Sequence, residues 1–330
     1  MPEQPVARGR RGSGPTRARP VPGIRASGER PIRGTAHSSG LFRPGPHRAR
    51  VARLDAGMLD ICDRACLRLL RRVQVATPDQ LAALVYPSRR TAFRRLRRLW
   101  QAGLLERAPL PPHRGGVPIA YRLTRRGMAR LGYADRRTGG LAHLRHALDT
   151  VAAVCALARP VDGPAGPQLP VQLWLPESTA ADAGAGPARP DAVVVLQLDD
   201  GSCVLCLETD EATEHAPQIR AKLATWERVL AGRDGWHVLF VVPSSARASW
   251  LRRVARPDLG GSGWAVVLAD LESDGLDAPV LPLARPGPAR SLRSLVRGPR
   301  PRRGSTPVGS DAWVEVLGSG GGEELDEVLP

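Results

Sequence analysis

The sequence predicts an α+β chain of two domains held between polar tails, and three observations predict it. Charge is sorted along the chain: residues 55–135 hold sixteen arginines against six acids, while residues 140–284 hold eleven basic residues against eighteen acids. Apolar residues recur every three or four positions in the first block, whereas strand-length apolar runs alternate with helical stretches in the second. Residues 1–53 and 285–330 are rich in Arg, Pro, Gly and Ser and carry no apolar period, so a disordered basic arm and a disordered tail are expected there. The boundaries that follow are 1–53, 54–135, 140–284 and 285–330. A hydrophobic content of 42% supplies cores for both domains, and with only 4% aromatic residues those cores are built mostly from Leu, Val and Ala.

The first block opens with Leu54-Asp55-Ala56 and runs through Leu59, Cys62, Cys66, Leu69 and Val73, a spacing that predicts an amphipathic helix. Cys62 and Cys66 fall on its apolar face, where packing explains them better than metal binding. Thr77-Pro78-Asp79-Gln80 predicts a second helix: a capping threonine, proline at the first helical position, and a glutamine placed to complete a capping box. It carries Leu81, Leu84 and Val85 and stops at Tyr86-Pro87. Ser88 caps a third helix, Arg89 to Trp100, with Phe93, Leu96, Leu99 and Trp100 expected on one face and six arginines on the remainder. Gly103 provides the left-handed stop. Leu104 to Arg107 and Ile119 to Leu123 predict two short strands joined by a Pro/Gly-rich loop containing His113 and Arg114, and Thr124 caps a further helix through Leu131.

Three helices, the third basic, followed by a hairpin with a basic tip, is the order of a winged helix-turn-helix. In that arrangement the third helix enters the major groove of duplex DNA while the hairpin tip meets phosphates. Arg89, Arg90, Arg94, Arg95, Arg97, Arg98 and Arg114 are the candidate DNA-binding residues, because the planar guanidinium fork grips phosphate or guanine in two places. No acid occurs from Ser88 through Leu105, so the arginines repel one another at helical spacing unless a polyanion neutralises them. The chain's net charge of +16 points the same way.

In the second block Leu141 to Ala158 predicts a helix, with His143, Arg145, His146 and Asp149 on or near its polar side. Strands are expected at Val171–Leu175, Ala192–Leu198, Cys203–Leu207, His237–Val242 and Trp264–Leu268, with helices at about 215–231 and 244–255. The three consecutive strands suit an antiparallel meander, and the helix that follows permits a parallel fourth neighbour. Cys203 and Cys206 form a CxxC, but in a strand an odd spacing points them to opposite sides, so a core role is expected.

Acids gather at strand ends: Asp191 opens the second strand, and Glu208 and Asp210 close the third. This resembles the PD-(D/E)XK nuclease pattern and with it a restriction-endonuclease-like α/β domain. The resemblance implies that Asp191 and Glu208 hold Mg²⁺, and that a lysine two residues beyond the glutamate positions the attacking water. Here that position is Asp210. The only lysine in the chain, Lys222, lies on the following helix and stands as its replacement. Asp191, Glu208, Asp210 and Lys222 are therefore the candidate catalytic set. Ordinary strand-end capping, or a nuclease fold that has lost cleavage and serves as a docking surface, accounts for the same residues.

The chain also resembles the replication-relaxation family of actinobacterial plasmids and mobile elements. The resemblance rests on Asp60-Ile61-Cys62-Asp63-Arg64, on Thr77 to Pro87, and on Leu99-Trp100-Gln101-Ala102-Gly103-Leu104-Leu105. Tyr121-Arg122-Leu123-Thr124, His146-Ala147-Leu148-Asp149, and Leu207-Glu208-Thr209-Asp210 with Lys222-Leu223 add to it. It covers about residues 54–242 and implies a role in plasmid replication, DNA relaxation or element maintenance. Three functions stay open: a double-stranded DNA-binding protein with a nuclease-like, non-catalytic second domain, a Mg²⁺-dependent endonuclease or nickase, and a transcriptional repressor. Palindromic recognition would imply a homodimer. No apolar stretch approaches a membrane span, and the basic start lacks the apolar segment of a secretory signal. Five scattered cysteines make no disulfide framework, so the reducing cytoplasm is the expected compartment.

Overall fold

A computed structural model describes residues 59–109, 119–133, 141–163, 166–176, 187–198, 201–255, 261–284, 287–296 and 314–315. The basic arm, the opening Leu54-Asp55-Ala56, the loop with His113 and Arg114, and the acidic end of the chain lie outside the described residues. Among the described residues no helix is long and apolar enough to cross a membrane.

Helices α1 (Ile61–Val73), α2 (Pro78–Leu84) and α3 (Arg89–Gln101) follow one another closely. Each start is capped by the residue whose side chain can reach an unpaired amide: Asp60 for α1, Thr77 for α2 and Ser88 for α3. The α2 box is complete, with the Thr77 amide donating to Gln80 Oε1 at 2.8 Å and the Gln80 amide donating to Thr77 Oγ1 at 3.2 Å. Gly103, at φ +69°, turns the chain out of α3 into β1 (Leu105–Pro109), which pairs antiparallel with β2 (Ile119–Leu123). Thr124 caps α4 (Arg125–Arg130).

Helix α5 (Leu141–Leu157) leads to a small hairpin of β3 (Val161–Gly163) and β4 (Gly166–Gln168), and then to one open mixed sheet. Strands β5 (Val171–Pro176), β6 (Ala192–Leu198) and β7 (Gly201–Thr209) form an antiparallel meander. Helix α6 (Ala216–Leu230) crosses over, so β8 (Trp236–Val242) lies parallel to β7. After α7 (Ser245–Val254), β9 (Gly263–Val267) lies parallel to β8. Then come α8 (Leu268–Asp274), β10 (Pro279–Pro282), β11 (Arg290–Ser291), the helical turn α9 (Arg293–Val296) and β12 (Val314–Glu315). Strands β10 and β11 extend one edge antiparallel, and β12 adds to β5 at the other.

Both faces of the sheet are covered, which is why β6–β9 read as nearly continuous apolar runs. Cys203, Leu205 and Leu207 point to the side of α5, α8 and α9, while Val204 and Cys206 point to the side of α6 and α7. The two cysteines of the CxxC are thus buried in opposite cores, and burial pushes the Cys203 thiol up to about 12. A disordered tail was expected from residue 285, but part of it is folded: Leu292, Leu295 and Val296 are buried against the sheet. Their apolar side chains close a core face that would otherwise lie open, a long-range effect with no local period to announce it.

Helix α5 belongs to both halves. Leu144 and Leu148, near its start, pack with Val75 and Ala120, whereas Val151, Val154 and Leu157 pack under the sheet. Gln80 Nε2 donates to the Leu148 carbonyl at 2.8 Å, joining α2 to α5.

Candidate functional site

Two sites stand out, one on α3 and one at the ends of β6 and β7. On α3 the buried stripe is Ala92, Leu96 and Leu99. Diametrically opposite, at one-turn spacings, lie Arg90, Arg94 and Arg97, all exposed, with Arg98 half-buried at their flank. None of these four makes an ion pair among the described residues. Arg89 is also exposed but pairs with Asp79, Nε to Oδ1 at 2.7 Å. Arg114 lies outside the described residues.

Two expectations for this helix change. Arg95 does not share the exposed stripe: it falls between Ala92 and Leu99 on the inward side, with 14% of its side chain exposed. Its guanidinium grips Asp63, which is 1% exposed, and reaches Asp60 Oδ2 at 2.9 Å, fastening α3 to the start of α1. The spacing 92, 95, 96, 99 was the available signal. Phe93, expected on one face with Leu96, Leu99 and Trp100, is 45% exposed, because Ala92, Leu96 and Leu99 close the core without it.

At the second site the β6–β7 register pairs Ala192 with Leu207, so Asp191 comes to lie across from Glu208. Asp191 Oδ2 accepts the Thr209 amide at 2.6 Å, and Oδ1 lies 2.9 Å from His146 Nε2 on α5. One helical turn beyond His146, Thr150 shares a 2.8 Å hydroxyl hydrogen bond with Thr209. Glu208 follows Val204 and Cys206 on the α6 side of the sheet, where each oxygen of its carboxylate has a partner: Oε1 accepts Trp226 Nε1–H at 2.9 Å and Oε2 lies 3.1 Å from Lys222 Nζ. Lys222 is also 3.1 Å from Glu214 Oε1. Asp210 stands apart. It is held in two places by Arg247 of α7, at 2.6 and 3.0 Å, and its Oδ1 accepts the Ala212 amide at 2.8 Å.

The structure therefore joins Lys222 to Glu208, sets Asp191 near enough for its charge to act on Glu208, and assigns Asp210 to a different cation. Burial, reinforced by the Asp191 charge, pushes Glu208 up to about 7 despite Lys222 and Trp226. Burial works against the charge on Lys222, but Glu208 and Glu214 more than offset it and hold its pKa above the usual lysine value.

Carboxylate oxygens at adjacent strand ends are the donors Mg²⁺ prefers. Here, however, every oxygen of Asp191 and Glu208 already has a protein donor, two of them the cationic or ionisable groups of Lys222 and His146. Among the described residues no three His, Cys, Asp or Glu side chains are grouped so as to hold a metal ion. His146, Thr150, Trp226 and Arg247 were not singled out as site residues in the sequence. They come from three separate helices, and only the fold gathers them.

No curated protein and no solved structure matches the chain. The family model described as Replication-relaxation matches residues 67–238, slightly more than half of the 330 residues, from α1 through β8 and both sites. The capped helices α2 and α3, the arginine stripe and the carboxylate-bearing strands lie inside that match, and the chain belongs to the replication-relaxation family.

Proposed function

We propose that the protein grips duplex DNA through a winged helix-turn-helix formed by α1–α3 and the β1–β2 ribbon. Its setting is the replication, relaxation or maintenance of a plasmid or other mobile element in the cytoplasm. The observation that carries the reading is the stripe of Arg90, Arg94 and Arg97, exposed, without acidic partners among the described residues, and backed by a rigid core. Each guanidinium that neutralises a phosphate releases a counterion, so affinity falls steeply with salt. Family membership supports the replication or relaxation setting. Arg94→Ala combined with Arg98→Ala is expected to weaken binding and lower the slope of log affinity against log salt by about 2. An unchanged slope removes α3 from the DNA interface.

The second half reads best as a PD-(D/E)XK-like domain that docks rather than cuts. The meander β5–β6–β7, the crossover through α6 and the facing Asp191 and Glu208 support the likeness, while Asp210, which stands where the pattern wants lysine and is held by Arg247, argues against cleavage. Incubating supercoiled plasmid with the protein and Mg²⁺ or Mn²⁺ should give binding without strand breaks. Nicking that depends on metal and disappears in both Asp191→Ala and Glu208→Ala would make the protein an endonuclease. A footprint confined to a promoter would make it a repressor, and a palindromic footprint would make it a homodimer on DNA.

A further inference from the structure

Phe93 stands outside the core stripe of α3. It lies on the flank of the helix, within a turn of Arg90, Arg94 and Arg97, with 45% of its surface in solvent. The core beneath is closed by Ala92, Leu96 and Leu99. Its ring is braced: the Arg89 guanidinium lies 5.4 Å from the ring centroid and is itself held by Asp79 through contacts of 2.7 and 3.3 Å. A large apolar ring is thus presented, with its neighbour fixed, at the edge of a face whose charge selects a polyanion.

Resting on the DNA-binding reading above, we propose that Phe93 reads the 5-methyl group of a thymine in the major groove. The edges of the bases in that groove offer donors, acceptors and one apolar group, the thymine methyl. Arg90, Arg94 and Arg97 hold the helix to phosphates or guanines, and the ring beside them contacts the methyl. The bound sequence therefore contains a thymine whose replacement by any other base, or by a thymine analogue lacking the methyl, weakens binding.

The test selects bound sequences from a randomised duplex library. The enriched duplex is then rebuilt with deoxyuridine in place of each thymine in turn and titrated with the wild type, Phe93→Ala and Phe93→Leu. The wild type is expected to lose affinity at one thymine position by about fourfold, the fold-change for one buried methyl-sized group. Phe93→Ala should bind the thymine and uracil duplexes equally, and Phe93→Leu should regain part of the difference. Equal wild-type binding to every uracil duplex overturns the proposal while leaving DNA binding intact, as does a Phe93→Ala protein that still distinguishes the two bases. Absence of DNA binding by the wild type overturns both readings. A Phe93→Ala protein altered only in self-association would place a second copy on this face and also overturn the proposal.

Discussion

Arg94 and Arg95 are neighbours in sequence and opposites in structure, so alanine at each position should act on a different property. Arg95→Ala strips the counter-charge from Asp63, whose side chain is 1% exposed. Breaking a buried pair by removing one partner costs about 3–5 kcal/mol. Asp60, with 49% of its side chain exposed, adds little because solvent screens it. Against a total stability on the order of 5–15 kcal/mol, the loss should move the denaturant midpoint far to the left. Removing both charges together with Asp63→Asn and Arg95→Met should recover part of it, since no orphaned charge remains. Arg94→Ala, at an exposed position, should leave stability within about 0.5 kcal/mol and lower the salt slope of DNA binding by about 0.9. Denaturant melts followed by circular dichroism and duplex titrations by fluorescence anisotropy between roughly 50 and 200 mM salt separate the two effects. An Arg95→Ala protein with the wild-type midpoint and a flattened salt slope would refute the assignment of the two faces.

Two further outcomes follow from burial. Burial, reinforced by the Asp191 charge, holds Glu208 above its ordinary value of 4.5, up to about 7, so the native state holds its proton more tightly. The stabilisation from this group is complete below pH 4.5 and is lost as pH rises through 7. Glu208→Gln should flatten the fall in stability across that window, and curves that stay parallel in wild type and variant would count against a raised Glu208. Leu292 is fully buried, so Leu292→Ala should cost about 2–5 kcal/mol by urea melting, whereas a residue in an unstructured tail would cost nothing measurable.

The first half was legible because its signals are local. Thr77-Pro78-Asp79-Gln80, Ser88 and Gly103 act within four residues, and each does in the structure what its chemistry predicts. The strands β5 to β9 were legible from apolar runs, and the presence of the α6 crossover allowed the parallel β7–β8 pairing that the structure has. What escaped was long-range. Nothing near Arg95 in sequence reveals Asp63, thirty-two positions earlier, and a basic residue on a core stripe looks like one more member of a basic run. Similarly, Lys222 could be named as a replacement for the missing lysine, but Trp226, Glu214 and His146 complete that site from elements whose meeting depends on the whole sheet. The strand β10 and the buried Leu292, Leu295 and Val296 were hidden by the Pro, Gly and Arg residues around them.

The shared helix α5 also bears on how such a protein can be recombined. A module transplanted as residues 59–133 would leave Val75 and Ala120 facing water where Leu144 and Leu148 now cover them, and would strand Gln80 without the Leu148 carbonyl. A graft that carries α5 along would instead expose Val151, Val154 and Leu157 on a foreign host. The exposed face of α3 is therefore easiest to alter in place, since changing the stripe at 90, 93, 94 and 97 disturbs neither seam.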